Sequence, residues 1–459
     1  MTPGVIWAAS IWTLVLLFVA WRDQGRPPED KRLSLEFIAI VIALLGTHSI
    51  VSGYTDTDTI LRDPVAGERA LRGVLAGVSL VLVGPRLWSA LRSNRSHGHR
   101  GLFCLAIYLG LAGLSTIYSA ATIVTAAKTF ELGAGMAAIG ALALHENGLA
   151  RLKRAVVLII TLETALLAVA VAGFFLLPQR FSQLQPRPGF VSELTMASPY
   201  AHPNALSSMG ALCGVYGLAR LLRRDGSPRI IWLVVVVIGL SGTLLASGRQ
   251  GVVIWIIGAA VLLLIERPRL SILLVAPVVW WILDSFGGVI WDALLRNRPT
   301  TIGTLTGRTE WWGAAIDAWK DHPWTGWGYG VGGRFVALES IGRGTTSNLH
   351  SGYFEALVGV GIIGLIPLLW AVARTSLWSM RALLHGAERH FPILMLPLLL
   401  RTSVSQGFGG WLNFEFMLFA CLVGIADLVW IEERNQRNVT TPPLVSTDLR
   451  VRVSEGITP

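Results

Sequence analysis

Apolar runs of about 17–25 residues recur along almost the whole chain, and that length is what a helix needs to cross a bilayer. They fall at roughly 4–21, 35–52, 70–85, 101–118, 121–144, 155–177, 204–221, 229–246, 250–265, 270–290, 351–372, 390–407 and 411–431. A backbone in lipid must satisfy its own hydrogen bonds, so such runs fold as helices packed on one another. The expected fold is therefore all-α, a polytopic transmembrane bundle of about 12–13 spans. Composition agrees. Only 14% of the residues are charged, well under the quarter or so of a soluble domain.

The net charge of +10 does not point to nucleic acid. The basic residues sit in short clusters between apolar runs and accompany no nucleic-acid-binding motif. Arg22, Arg26, Lys31 and Arg32 form one cluster. If it is cytoplasmic, alternation also places Arg86–Arg100, Arg151–Arg154, Arg220–Arg229, Arg267–Arg269, Arg374–Arg389 and the C-terminal Arg434 and Arg437 inside, as the positive-inside rule requires. The N-terminus is then outside and the C-terminus inside. Residues 1–432 are expected to form the membrane domain and 433–459 a disordered cytoplasmic tail. Cys104, Cys213 and Cys421 lie inside apolar runs without CxxC spacing, and read as buried small hydrophobes.

Three segments face outward in this topology. Residues 177–204 are polar and contain Tyr200-Ala201-His202-Pro203-Asn204, where Asn204 is a candidate helix cap. Residues 247–251 form a tight turn carrying Arg249. Residues 286–349 form a loop too long to be a mere connection. Within it, 308–321 reads as a short amphipathic helix with Trp312, Ala315, Ile316 and Trp319 on one face, ended by Asp321-His322-Pro323. The glycine-dense stretch 324–333 needs an irregular backbone.

Arg249, Arg308 and His350 are thus brought to one compartment. Two fixed cations suit a phosphate-linked substrate, since guanidinium grips phosphate oxygens with paired hydrogen bonds. The imidazole suits proton transfer. Competing readings are a lipid-anchoring arginine at 249, a solvated charge at 308 and a structural histidine at 350. Glu310 is placed to orient Arg308, while His202, Asn204, Trp312 and Asn348 are further candidates for substrate contact. There is no P-loop, HExxH, GxSxG or clustered Asp pair, so no metal or cofactor is expected.

Taken together, Tyr200-Ala201-His202-Pro203-Asn204, Ala246-Ser247-Gly248-Arg249-Gln250-Gly251, Gly307-Arg308-Thr309-Glu310-Trp311-Trp312, Pro323-Trp324-Thr325-Gly326-Trp327-Gly328 and Asn348-Leu349-His350-Ser351-Gly352-Tyr353 resemble the O-antigen ligase and polymerase family of polytopic bacterial glycosyltransferases. Two positions depart from the family's pattern: a glycine precedes Arg249, and a serine follows His350. The resemblance implies a glycan donor linked to undecaprenyl pyrophosphate, used at the periplasmic face of the inner membrane. The acceptor would be another glycan (polymerase, as in exopolysaccharide or O-antigen synthesis) or a lipid A core (ligase, in lipopolysaccharide synthesis). It also implies that Arg249 and Arg308 bind the pyrophosphate while His350 assists the acceptor, without metal and with inversion at the anomeric carbon. The alternative from another class is a transporter or flippase for a lipid-linked or anionic solute.

Overall fold

The computed structural model describes residues 35–47, 67–93, 98–185, 193–198, 201–223, 228–246, 248–267, 308–343, 348–386, 388–410 and 412–440. The expected spans at 4–21 and 270–290, the loop portion 286–307 and the tail beyond 440 lie outside the described residues, while residues 433–440, expected as the start of a disordered tail, continue the last helix.

The remaining spans are all helices. They are α1 (Leu35–Thr47), α2 (Gly67–Arg92), α3 (Arg100–Leu114, extended by a 3-10 turn at Ser115–Ile117), α4 (Thr122–Ala143) and α5 (Gly148–Leu176). After the one-turn α6 (Pro178–Phe181) come α7 (Pro203–Leu222), α8 (Arg229–Leu245) and α9 (Arg249–Glu266). The loop helix α10 (Arg308–Asp321) precedes α11 (Gly352–His385), α12 (Met395–Val404) and α13 (Phe414–Thr440). Among the described residues, six helices are long and apolar enough to cross a membrane, and four shorter apolar ones accompany them. The chain is a multi-pass membrane protein.

A small two-stranded sheet interrupts the helical pattern. Strands β1 (Ser182–Gln185) and β2 (Glu193–Met196) pair antiparallel in the polar segment before α7. Met196 of β2 is buried against the bundle together with its neighbour Thr195, while Leu194 stays exposed.

Small residues set the close helix contacts. A Cβ on Gly210 of α7 would lie 2.5 Å from the carbonyl oxygen of Gly239 in α8, and one on Gly239 would lie 2.7 Å from that of Gly210. Such backbone approach is how helices associate where no solvent drives them together.

Polar contacts sort the helix ends into two groups. At one end, Glu36 of α1 meets Arg86 at 2.7 Å and Arg151 at 3.6 Å. Nearby, Lys153 pairs with Glu388, and Arg389 with Glu266 at 3.1 Å. Asp427, wholly buried, holds Arg374 at 2.9 Å and accepts the Gly101 and Leu102 N–H groups that open α3. An acid at a helix N-terminus meets orphan donors there. These are the basic ends that alternation assigned to one side.

At the opposite end the long loop is stitched to α3 and α4. Tyr118 Oη donates to the Thr325 carbonyl at 2.7 Å, and the Ala120 N–H to the Trp327 carbonyl at 3.1 Å. The Tyr329 N–H donates to Ser115 Oγ at 2.9 Å, and Lys128 Nζ to the Gly330 carbonyl at 2.6 Å.

The loop also enters α11. That helix breaks at Gly361, whose φ of 65° and ψ of −169° are non-helical. A Cβ there would sit 2.2 Å from the Trp324 carbonyl oxygen. The loop pairs with four backbone groups that flank the break. Trp327 and Gly328 donate to the carbonyls of Val358 and Gly359, while Ile362 and Ile363 donate to those of Pro323 and Trp324, at 2.8–3.3 Å.

Helix α10 has the expected bounds, and Trp312, Ala315 and Trp319 of the expected face pack inward. Ile316 is exposed, and the buried residues are Ala314, Ala315 and Ala318. The packed face is thus wider than expected and takes in Trp311 and Ala314 in place of Ile316. Small alanines let α10 close on Ala337, Leu338 and Leu349, where the bulkier Ile316 would hold it off. A π-helical segment, Gly332–Leu338, lies against it.

Candidate functional site

The three segments carrying the expected site residues meet at the loop end of the bundle. Helix α9 begins at Arg249 and rests on the start of α7. Ser207 Oγ donates to the Gly248 carbonyl at 2.9 Å, and Gln250 Nε2 to that of Asn204 at 3.4 Å. A Cβ on Gly248 would lie 2.5 Å from the Ser207 Cβ. The glycine before Arg249 is therefore a packing requirement of this crossing. The backbone of Arg249 opens α9; its side chain lies outside the described residues.

His202, not Asn204, caps α7. Its Nδ1 accepts the Asn204 N–H at 3.1 Å, and Pro203 takes the first helical position. Proline at that position costs nothing because its missing N–H would have been an orphan. Asn204 therefore falls one residue inside the helix.

His350 has a φ of 51° and is the one non-glycine residue with positive φ among the described residues. Such a backbone costs of order 1–3 kcal/mol and persists only where neighbours impose it. Here they do. The His350 N–H donates to Asn348 Oδ1 at 2.9 Å, and the Leu349 N–H to Glu355 Oε1 at 2.6 Å. The Leu349 carbonyl accepts from Trp312 Nε1 at 3.0 Å. Gly352, two residues on, donates its N–H to the Ser405 carbonyl at 2.8 Å. Ser351 is buried at the N-cap position of α11, where its hydroxyl makes no cap bond.

The imidazole stacks on Trp311, centroids 5.2 Å apart and rings 28° from parallel. Trp312 instead stacks on Phe354 at 5.5 Å. Its ring and its N–H are both committed to bracing the loop, so Trp311 is the indole at the candidate site. Arg308 is half-buried, Glu310 is exposed, and no ion pair joins the two among the described residues. Residues two apart on a helix do not face each other, so the orienting role expected for Glu310 fails on geometry.

Electrostatics link the groups. Burial first, then the positive charges of Arg308 and Arg401 and the ring of His202, push His350 down to about 4. The ring is thus neutral at pH 7. Burial and Arg401 also lower the proton affinity of Arg308 and His202. His202, Arg308 and His350 therefore share one electropositive site with Arg401.

Sequence reasoning missed Arg401, Glu355 and Trp311. Arg401 had a signal: an arginine within an apolar span is a functional candidate by default. Glu355, an acid one turn into the span after His350, was legible on the same ground. Trp311 was not, because two adjacent indoles open α10 and only the contacts decide which of them stacks on the imidazole.

Residues 204–369 match the family model described as O-antigen ligase. The matched stretch contains Asn204, Arg249, Arg308 and His350 and leaves out His202 and Arg401. No curated protein matches the chain.

Proposed function

We propose, taking as premise that this chain belongs through residues 204–369 to the O-antigen ligase family, that it is a membrane enzyme joining glycans from a polyprenyl-pyrophosphate-linked donor. The observation that carries this reading is a neutral imidazole held in a strained backbone beside Arg308, whose charge no acid partners among the described residues.

The donor's pyrophosphate binds the guanidinium of Arg308, with Arg249 at the start of α9 as its second contact. Asn204 and His202, at the start of α7, border the same space. The acceptor hydroxyl approaches His350 and donates its hydrogen bond to the imidazole. Its oxygen attacks the anomeric carbon as the bond to the pyrophosphate oxygen breaks. The electron pair leaves on that oxygen, where fixed cations stabilise it without reorganising, and the proton passes to His350. Attack opposite the leaving group inverts the anomeric centre. A free ring titrating near 4 is a good acceptor but a weak base. The bound donor corrects this, since its negative charge offsets the arginines that hold the proton affinity down.

The basic-loop pattern supports an inner-membrane protein with this site on the periplasmic side. A glycan chain or a lipid A core remains the acceptor, and polymerase is the preferred form. A transporter would leave broken-helix groups free for its solute, whereas the loop occupies those of α11.

The test is transfer by purified full-length protein in lipid nanodiscs. His350→Asn tolerates the left-handed backbone and keeps donor binding, but should lose transfer by about 100-fold or more. Wild-type rates in His350→Asn and His350→Ala would refute the assignment. In a deletion strain, single repeats that accumulate mean a polymerase, and long unattached chains mean a ligase.

A further inference from the structure

Arg401 lies in α12, beyond the family-matched stretch, and is 6% exposed. Its Nε meets Glu415 Oε1 of α13 at 3.2 Å, and Glu415 is itself buried. That pair leaves Nη1 buried without a hydrogen-bond partner. An unmade bond to a buried charged donor is costly, and an apolar pair of similar volume commonly serves stability as well. The fold therefore carries a cost at Arg401 that pairing with Glu415 does not return.

The position of Arg401 says where an acceptor would come from. One residue on, Thr402 lies against Gly352, where an added Cβ would be 2.7 Å from its Cγ2. Ser405 receives the Gly352 N–H. The end of α12 is thus fastened two residues from His350. The charge of Arg401 is felt by His350, Arg308 and His202 alike, so it sits among the groups that face the donor.

We propose that Arg401 is a further cation of the donor site, its unpartnered Nη1 held for an oxygen of the diphosphate while Glu415 fixes the other edge of the guanidinium. This rests on the reading above that the site takes a polyprenyl pyrophosphate. Glu415 then acts as a positioning residue, orienting the fork from behind.

The experiment measures binding of geranylgeranyl pyrophosphate and of geranylgeraniol to full-length protein in phosphatidylcholine nanodiscs. Arg401→Gln should weaken the pyrophosphate tenfold or more and leave the alcohol unchanged. Because a lone buried Glu415 can unfold the protein, the double variant Arg401→Met/Glu415→Met is measured beside it, with thermal unfolding as the check on folding. The same selective loss in the folded double variant supports the proposal. Pyrophosphate binding at wild-type strength in that variant overturns it and leaves Arg401 as a mere partner of Glu415. If the wild-type protein prefers the pyrophosphate no more than the alcohol, the anion-site reading itself falls, and this inference with it.

Discussion

His350 concentrates the proposed chemistry at the scale of one residue. Its backbone is held left-handed by Asn348 and by the brace on Leu349, and its ring is kept neutral by burial and two arginines. A pH dependence follows. In the proposed mechanism the acting form is neutral, so activity should be present above the pKa and lost below it. In kcat/KM, which reports free enzyme, transfer should persist at pH 5.5, where an unperturbed imidazole is about nine-tenths protonated. It should fall only as pH drops through about 4. Arg308→Gln removes a repelling cation, so its acid limb should move up. It should stop short of 6.5, because burial, the larger cause, remains. A wild-type limb near 6.5 would show that the ring is not held as described. The sequence supplied the residue as a candidate. It could not supply the depressed titration, which needs Arg401 from a helix some fifty residues away.

At the scale of elements, hydropathy predicted what it is suited to predict. Span positions were legible because a bilayer demands a fixed apolar length, and α10 was legible because Pro323 stops it. Its facing was legible except at Ile316, since only the alanine packing shows that the buried stripe runs through Ala314 and Ala318 instead. The cap at His202 was hidden for a similar reason: Asn204 is the better capping type, but Pro203 fixes the helix start ahead of it. The break in α11 was visible only as one glycine among many. Gly361→Ala tests its importance. The new Cβ meets the Trp324 carbonyl and must adopt a positive φ, so thermal unfolding in detergent should occur several degrees lower, a loss of about 2 kcal/mol or more. An unchanged transition would mean the loop does not depend on the break.

Across the whole molecule, the two ends of the bundle do different work. One end is neutralised: Glu36, Glu266, Glu388 and Asp427 each hold a basic residue from another segment. The other end gathers Arg308, Arg401 and two histidines against Glu415. Asp427→Asn should therefore destabilise without touching the site. Removing one partner of a buried pair costs about 3–5 kcal/mol, so the unfolding temperature should fall markedly. Protein that remains folded should bind donor as wild type does, by the nanodisc assay. A selective loss of binding with unchanged stability would contradict this division.

The seam between loop and α11 has a mechanical consequence. Four main-chain hydrogen bonds cross it, each pairing a group that flanks the helix break. Lifting the loop off would leave eight such groups bare at the edge of hydrocarbon, where each orphan costs several kcal/mol. The loop is riveted down rather than hinged. For the proposed donor this leaves one route: its prenyl chain would slide in sideways from the lipid, headgroup first, through a slot between neighbouring helices, rather than enter beneath a raised loop.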